Sequence, residues 1–253
     1  ILRQPLGIVG AISPWNLPLY LFTWKIAPAL VSGNCVIAKP SEITPYTSYL
    51  FSKICIEANL PPGILNILHG DGALIGREIV RHEKIKAISF TGGTKTGKEI
   101  AREASHNLKK INLEMGGKNP LIAFPDADLE TVADAVVTGM NFTRNQGQSC
   151  GSTSRLFVHK DVVKEMTEAV LERVKSIKLG LPEEEQTEMG SLVSSAHQER
   201  VLGFIEIGRE EGARICCGGG PPEGSLSSGA YVLPTVLDKV DPGMKIAQEE
   251  IFG

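Results

Sequence analysis

No stretch of the 253 residues is apolar for long enough to cross a bilayer, and nothing near the first residue has the make-up of a signal peptide. Neither charge sign dominates. The 26 Lys and Arg against 29 Asp and Glu leave a net charge of −3, so electrostatics gives no reason to expect nucleic acid or a membrane surface as partner. Cysteine is scarce: Cys35, Cys55, Cys150, Cys216 and Cys217 are an odd number with no C-x-x-C spacing. That argues against a disulfide framework and against a zinc site, leaves no metal to assign, and points to a reducing, cytoplasmic compartment. An initiator Met and a terminating element are also missing, and the chain is expected to be a piece of a longer protein. What is present is ordinary for a globular protein, with 42% hydrophobic and 22% charged residues and length enough for one large or two ordinary domains.

The first hundred residues alternate two patterns. Short apolar runs (Gly7 to Ile12, Cys35 to Ala38, Ile64 to Leu68, Ala87 to Phe90) read as buried strands. Between them lie helical patterns, Leu19 to Val31, Pro45 to Ala58, Ala73 to about Arg81, and Thr94 to about Ser105. Strands and helices in this alternation imply βαβ units and a mainly parallel sheet covered on both faces. At Ile111 to Gly117 the rhythm breaks as a short strand runs into two glycines, which sets a domain boundary there: residues 1–115 form one domain and 116–253 a second. The second reads as a strand from Pro120, a helix over 128–143, a polar loop, a strand over 154–159 and helices over 161–177 and 195–211. Strands at Ala213 to Cys217 and Tyr231 to Val236 follow.

The polar loop Asn145 to Thr153 holds the most reactive group, Cys150, among Gln148, Ser149, Gly151 and Ser152. A thiolate is a strong nucleophile, and a turn rich in free N–H groups favours it. A structural cysteine is the alternative, yet these neighbours are not core residues, whereas the other four cysteines lie in or near apolar runs. Glu114 follows apolar Ile111 and Leu113 at a strand end, where partial burial would make it a better general base. Asn16, after the first strand, is a neutral donor suited to an oxyanion. Gly92-Gly93 opens a helix after a strand and can offer N–H groups to a phosphate. The run Gly92 to Lys98 nearly spells a P-loop, but Glu99 stands where a hydroxyl should meet Mg²⁺. Lys39 and Glu42 follow the second strand, where open α/β sheets bind ligands. Each of these, alone, is also consistent with a solvated loop residue.

Taken in order, Pro14-Trp15-Asn16, Lys39-Pro40-Ser41-Glu42, Phe90-Thr91-Gly92-Gly93-Thr94, Leu113-Glu114-Met115-Gly116-Gly117-Lys118, Gly147-Gln148-Ser149-Cys150 and Glu249-Glu250-Ile251-Phe252-Gly253 resemble the NAD(P)-dependent aldehyde dehydrogenase superfamily. The resemblance runs the length of the chain. It implies an α/β fold of two domains, a Rossmann-like cofactor domain and an α/β catalytic domain, both incomplete at the chain ends. It implies Cys150 as nucleophile, Glu114 as general base and Asn16 as oxyanion donor. It further implies contacts to NAD from Lys39, Glu42, Gly92, Gly93, Trp15, Glu250 and Phe252. Glu42 accepts from ribose hydroxyls but would repel a 2′-phosphate, which favours NAD over NADP. Gly93 departs from the Ser often found there, so any phosphate contact must come from its backbone.

The implied reaction oxidises a small aldehyde to the carboxylate, in a homodimer or homotetramer. The stretch Pro14 to Ile26 resembles the hydroxymuconic and aminomuconic semialdehyde branch and, in part, betaine-aldehyde enzymes. The rivals are a P-loop nucleotide hydrolase, which leaves Cys150 and Glu114 unexplained, and a non-catalytic member of the same fold. As an isolated piece the chain is expected to turn over slowly or to aggregate.

Overall fold

The computed structural model describes Leu2 and residues 4–253. Contacts divide the chain into two compact units, Ile1–Met115 and Gly116–Gly253. The first runs β1 (Ile8–Ile12), α1 (Pro18–Val31), β2 (Cys35–Lys39), α2 (Tyr46–Glu57), β3 (Leu65–Ile67), α3 (Arg77–Arg81), β4 (Ile85–Gly92), α4 (Thr94–Ser105) and β5 (Lys110–Met115). All four strand pairings are parallel, in the order β3-β2-β1-β4-β5. The chain therefore winds outward from β1 in one direction and then in the other, the pattern that leaves a crevice at the carboxyl ends of the strands.

Alternation of side chains along β1 explains why both faces are covered. Ala11 packs with Phe22 and Ile26 of α1 and with Val36 and Ala38, while Ile12 packs with Ile79 and Val80 of α3 and with Ile100 and Ala104 of α4. Gly10 sits where helix meets sheet, since a Cβ there would lie 2.6 Å from Ile79 Cγ2. The helical pattern expected over 73–81 is two pieces. A π-helical turn over Gly72–Gly76, capped by Asp71, which accepts from the Leu74 N–H at 2.9 Å, precedes the five residues of α3.

The second unit contains β6 (Pro120–Ala123), α5 (Leu129–Met140), α6 (Phe142–Asn145), β7 (Arg155–Val158), α7 (Val163–Ser176), α8 (Ser195–Glu210), β8 (Arg214–Cys217), β9 (Val236–Asp238) and α9 (Lys245–Gln248). β6 and β7 pair in parallel, and β8 and β9 pair antiparallel, among the described residues. Met166, Val170 and Val174 of α7 and Ala133 of α5 fill the core beside β6. Two expectations are corrected here. The helix over 128–143 breaks at Asn141, which adopts a left-handed φ of 63° and turns the chain into α6. Tyr231 to Thr235 is not a strand: Pro234 has no N–H to give a ladder, and pairing begins only at Val236. That segment is held by side chains instead, with Gln198 Nε2 donating to the Tyr231 carbonyl at 2.7 Å and the Tyr231 hydroxyl donating to Gly180 O at 3.0 Å.

Candidate active site

In the first unit the strand register decides which residues meet. Ile12 pairs with Lys39 and Phe90, and Thr91 pairs with Glu114, so the segments leaving β1, β2, β4 and β5 emerge at one edge of the sheet. That edge carries Trp15, Asn16, Lys39, Glu42, Gly92, Gly93 and Glu114. Asn16 is buried in the turn between β1 and α1.

Lys39 is only 2% exposed, and its ammonium donates to the Pro40 carbonyl at 3.0 Å and to Glu42 Oε2 at 2.9 Å. Glu42 Oε1 accepts from the Gly72 N–H at 3.4 Å. Burial pushes the Glu42 carboxyl up. The Lys39 bond and charge, with its own and the Gly72 N–H groups, outweigh it, and the net shift is downward. Glu42 is thus held as an ionised acceptor, with part of its carboxylate still open to solvent. At the end of β4, Gly92 and Gly93 differ. A Cβ on Gly92 would strike the Phe90 ring at 2.5 Å, whereas one on Gly93 would meet nothing within 4 Å. Gly93 is the N-cap of α4, so open space lies in front of the first N–H groups of a twelve-residue helix.

Glu114 differs from expectation. β5 is an edge strand, and Glu114 is exposed rather than partly buried. The buried member of its neighbourhood is a cation. Lys25, 6% exposed and the one charged residue of the mostly apolar α1, donates to Thr91 Oγ1 at 2.6 Å. Burial lowers the Lys25 ammonium, and the charge of Glu114 opposes that. Lys25 was not among the expected site residues, although one charge within a mostly apolar helix was a usable signal.

In the second unit the loop bearing Cys150 is built by its neighbours. The carbonyls left open where α5 ends are taken by this loop. Thr153 N–H donates to Gly139 O at 2.9 Å, Gly147 N–H to Asn141 O at 3.1 Å, and the Ser152 hydroxyl lies 2.9 Å from Met140 O. Asn119 Nδ2 reaches the carbonyls of Cys150 and Ser152, at 2.8 and 3.1 Å. Gln148, buried, accepts from the Val193 N–H at 2.9 Å. The flanks are thus pinned while the Cys150 side chain is exposed. Cys35 is exposed as well, contrary to its expected shelter, whereas burial pushes the thiols of Cys55, Cys216 and Cys217 up.

Glu250 lies against the start of the same unit. Its Oε1 accepts from the Gly117 N–H at 3.2 Å. Burial pushes the Glu250 carboxyl up, opposed by that N–H and by the charges of Arg200 and Lys118. Lys118 is drawn down to about 8 by burial first and by Arg155 second. A cavity of about 540 Å³ reaches Lys118, Ser149, Glu250 and Phe252. His197, Arg200 and Asn119, which organise this region, carried no signal in the sequence.

The aldehyde dehydrogenase family model matches residues 1–253. Among solved structures, betaine aldehyde dehydrogenase from Staphylococcus aureus in complex with NAD⁺ is 40% identical, with a TM-score of 0.95 over 98% of this chain and 49% of its own. An apo point mutant of the same enzyme gives 40% identity and a TM-score of 0.95 over 98% and 50%. The chain therefore spans about half the length of the solved relatives it matches. Among the described residues no helix is long and apolar enough to cross a membrane.

Proposed function

Because the chain belongs to the aldehyde dehydrogenase family over residues 1–253, we propose that the whole protein oxidises an aldehyde to the carboxylate with NAD⁺, and that Cys150 is its nucleophile. The observation that carries this reading is an exposed thiol on a loop whose flanks are fixed by Asn119, Ser152 and Gln148. Precise placement of a reacting atom needs such support.

The Cys150 thiolate adds to the aldehyde carbon, and its backbone N–H with the Asn16 amide bears the oxyanion charge. The chemistry that NAD⁺ supplies when bound is acceptance of a hydride, which turns the adduct into a thioester on Cys150. Glu114 then takes a proton from the water that attacks the thioester, releasing carboxylate and restoring the thiol. An exposed Glu114 suits a group that must meet a water. Lys39 and Glu42 fit the adenine ribose, the first turn of α4 with Gly92 and Gly93 fits the phosphates, and Trp15, Glu250 and Phe252 serve the nicotinamide end.

The decisive experiment is rapid-quench kinetics on the whole protein. Glu114→Gln should give one burst of NADH per site followed by very slow turnover, and Cys150→Ala should give none. A folded Cys150→Ala variant that keeps its turnover would remove the assignment. The aldehyde panel should include a trimethylammonium aldehyde, after the relative's name, and a carboxylate-bearing semialdehyde, after the Pro14 to Ile26 resemblance. A cytoplasmic location and a homodimeric or homotetrameric assembly complete this reading; cell fractionation and sedimentation velocity check them.

A further inference from the structure

The first two turns of α8 carry three residues on one face, His197, Arg200 and Val201, at the i, i+3 and i+4 spacing that brings side chains together. All three meet the segment after α9. The Phe252 carbonyl lies 2.7 Å from His197 Nε2. A carbonyl can only accept, so that ring nitrogen carries the proton. Arg200 Nη2 donates to the Glu250 carbonyl at 2.7 Å. A Cβ on Gly253 would lie 2.4 Å from Val201 Cγ2, so the backbone runs directly against the helix.

Phe252 has a φ of 69°, a region that side chains of its size avoid, and such a conformation persists only where the surroundings impose it. The ring of His197 also stands edge-on to the Phe252 ring at 6.2 Å. The same end of α8 holds the nucleophile loop. Val193, just before the Ser194 N-cap, donates to Gln148, and a Cβ on Gly147 would lie 2.8 Å from the Gly253 carbonyl carbon.

From this we infer that His197 is a positioning residue: its Nε2–H holds the Phe252 carbonyl, fixing Glu250 and Phe252 for the nicotinamide end of the cofactor and setting that segment in register with the Cys150 loop. This rests on the reading above that Glu250 and Phe252 serve the cofactor. Arg200 assists through the Glu250 carbonyl. His197 does not itself touch the reacting atoms.

The test is steady-state kinetics on the whole protein with His197→Gln, which keeps an N–H donor of similar reach, His197→Met, which has none, and Glu250→Gln as control. Loss of this one partly buried hydrogen bond should raise the KM for NAD roughly tenfold in His197→Met, with kcat changing far less, and His197→Gln should recover most of it. A general loss of fold would instead lower the active-enzyme count in both variants without this split. If Glu250→Gln raises the KM for NAD and folded His197→Met does not, the positioning role is wrong. If Glu250→Gln itself leaves that KM unchanged, the cofactor reading beneath it falls, and the inference with it. Should His197→Met not fold, Arg200→Met, which cuts the neighbouring bond, must raise the KM for NAD, and an unchanged value overturns the proposal.

Discussion

At Gly116 the structure leaves room for a hydrogen and nothing larger. A Cβ there would lie 1.8 Å from Glu250 Oε2, and the next residue's N–H already holds Oε1. Gly116→Ala should therefore expel the Glu250 carboxylate and raise the KM for NAD as Glu250→Gln should, with the fold kept. An Ala variant with unchanged KM would show that Glu250 can leave this position without consequence. The displacement should also appear in the pH dependence of stability. Glu250 is raised in the folded state by burial, so the native state holds its proton more tightly than the unfolded chain. Its contribution is then fullest below the ordinary carboxylate value and is lost as pH rises through the folded one. A carboxylate expelled into water loses that cause, and the decline above the ordinary carboxylate range should become shallower in Gly116→Ala denaturation curves.

At the scale of elements, two adjacent glycines separate what β4 demands from what α4 demands. Gly92 ends β4 under the Phe90 ring, and Gly93 caps α4 with φ −68° and ψ 145°, the extended geometry of an N-cap, without a side chain to accept from the first turn. Gly92→Ser should cost on the order of 1–3 kcal/mol through overpacking. Gly93→Ser should be neutral or gain a few tenths of a kcal/mol by capping. Thermal melts of the two variants compare them directly, and a Gly93→Ser variant as unstable as Gly92→Ser would contradict the open space in front of α4. The elements themselves were legible in sequence where side-chain period and chain breakers agreed, as in β1, β2 and α4. They were misread where one residue overrode the pattern: Asn141 entered the left-handed region inside an amphipathic run, and Pro234 withheld its donor from an apolar one.

For the whole chain, one parallel sheet brings residues far apart in sequence to a single edge, and a dinucleotide bound there must touch the ends of several strands at once. Hydrogen exchange on the whole protein should accordingly show NAD⁺ protecting 13–16, 39–42 and 91–97 together. Protection centred on the exposed Tyr46, Tyr49 and His69 patch instead would place the cofactor elsewhere. The order of strands and helices, the polar loop bearing Cys150 and the polar residues following each strand were set by the sequence alone, because each rests on local periodicity, a turn, or a residue type without an apolar neighbour. Tertiary structure alone decided the environment of those residues. Glu114 is open because β5 lies at the sheet edge, Lys25 is buried because α1 packs against β1, and Cys35 is exposed although its strand lies between two others. His197 became informative only when α8 met the segment after α9, 55 positions later in the chain. Burial and long-range hydrogen bonds depend on which elements become neighbours, and no local pattern in the sequence encodes that.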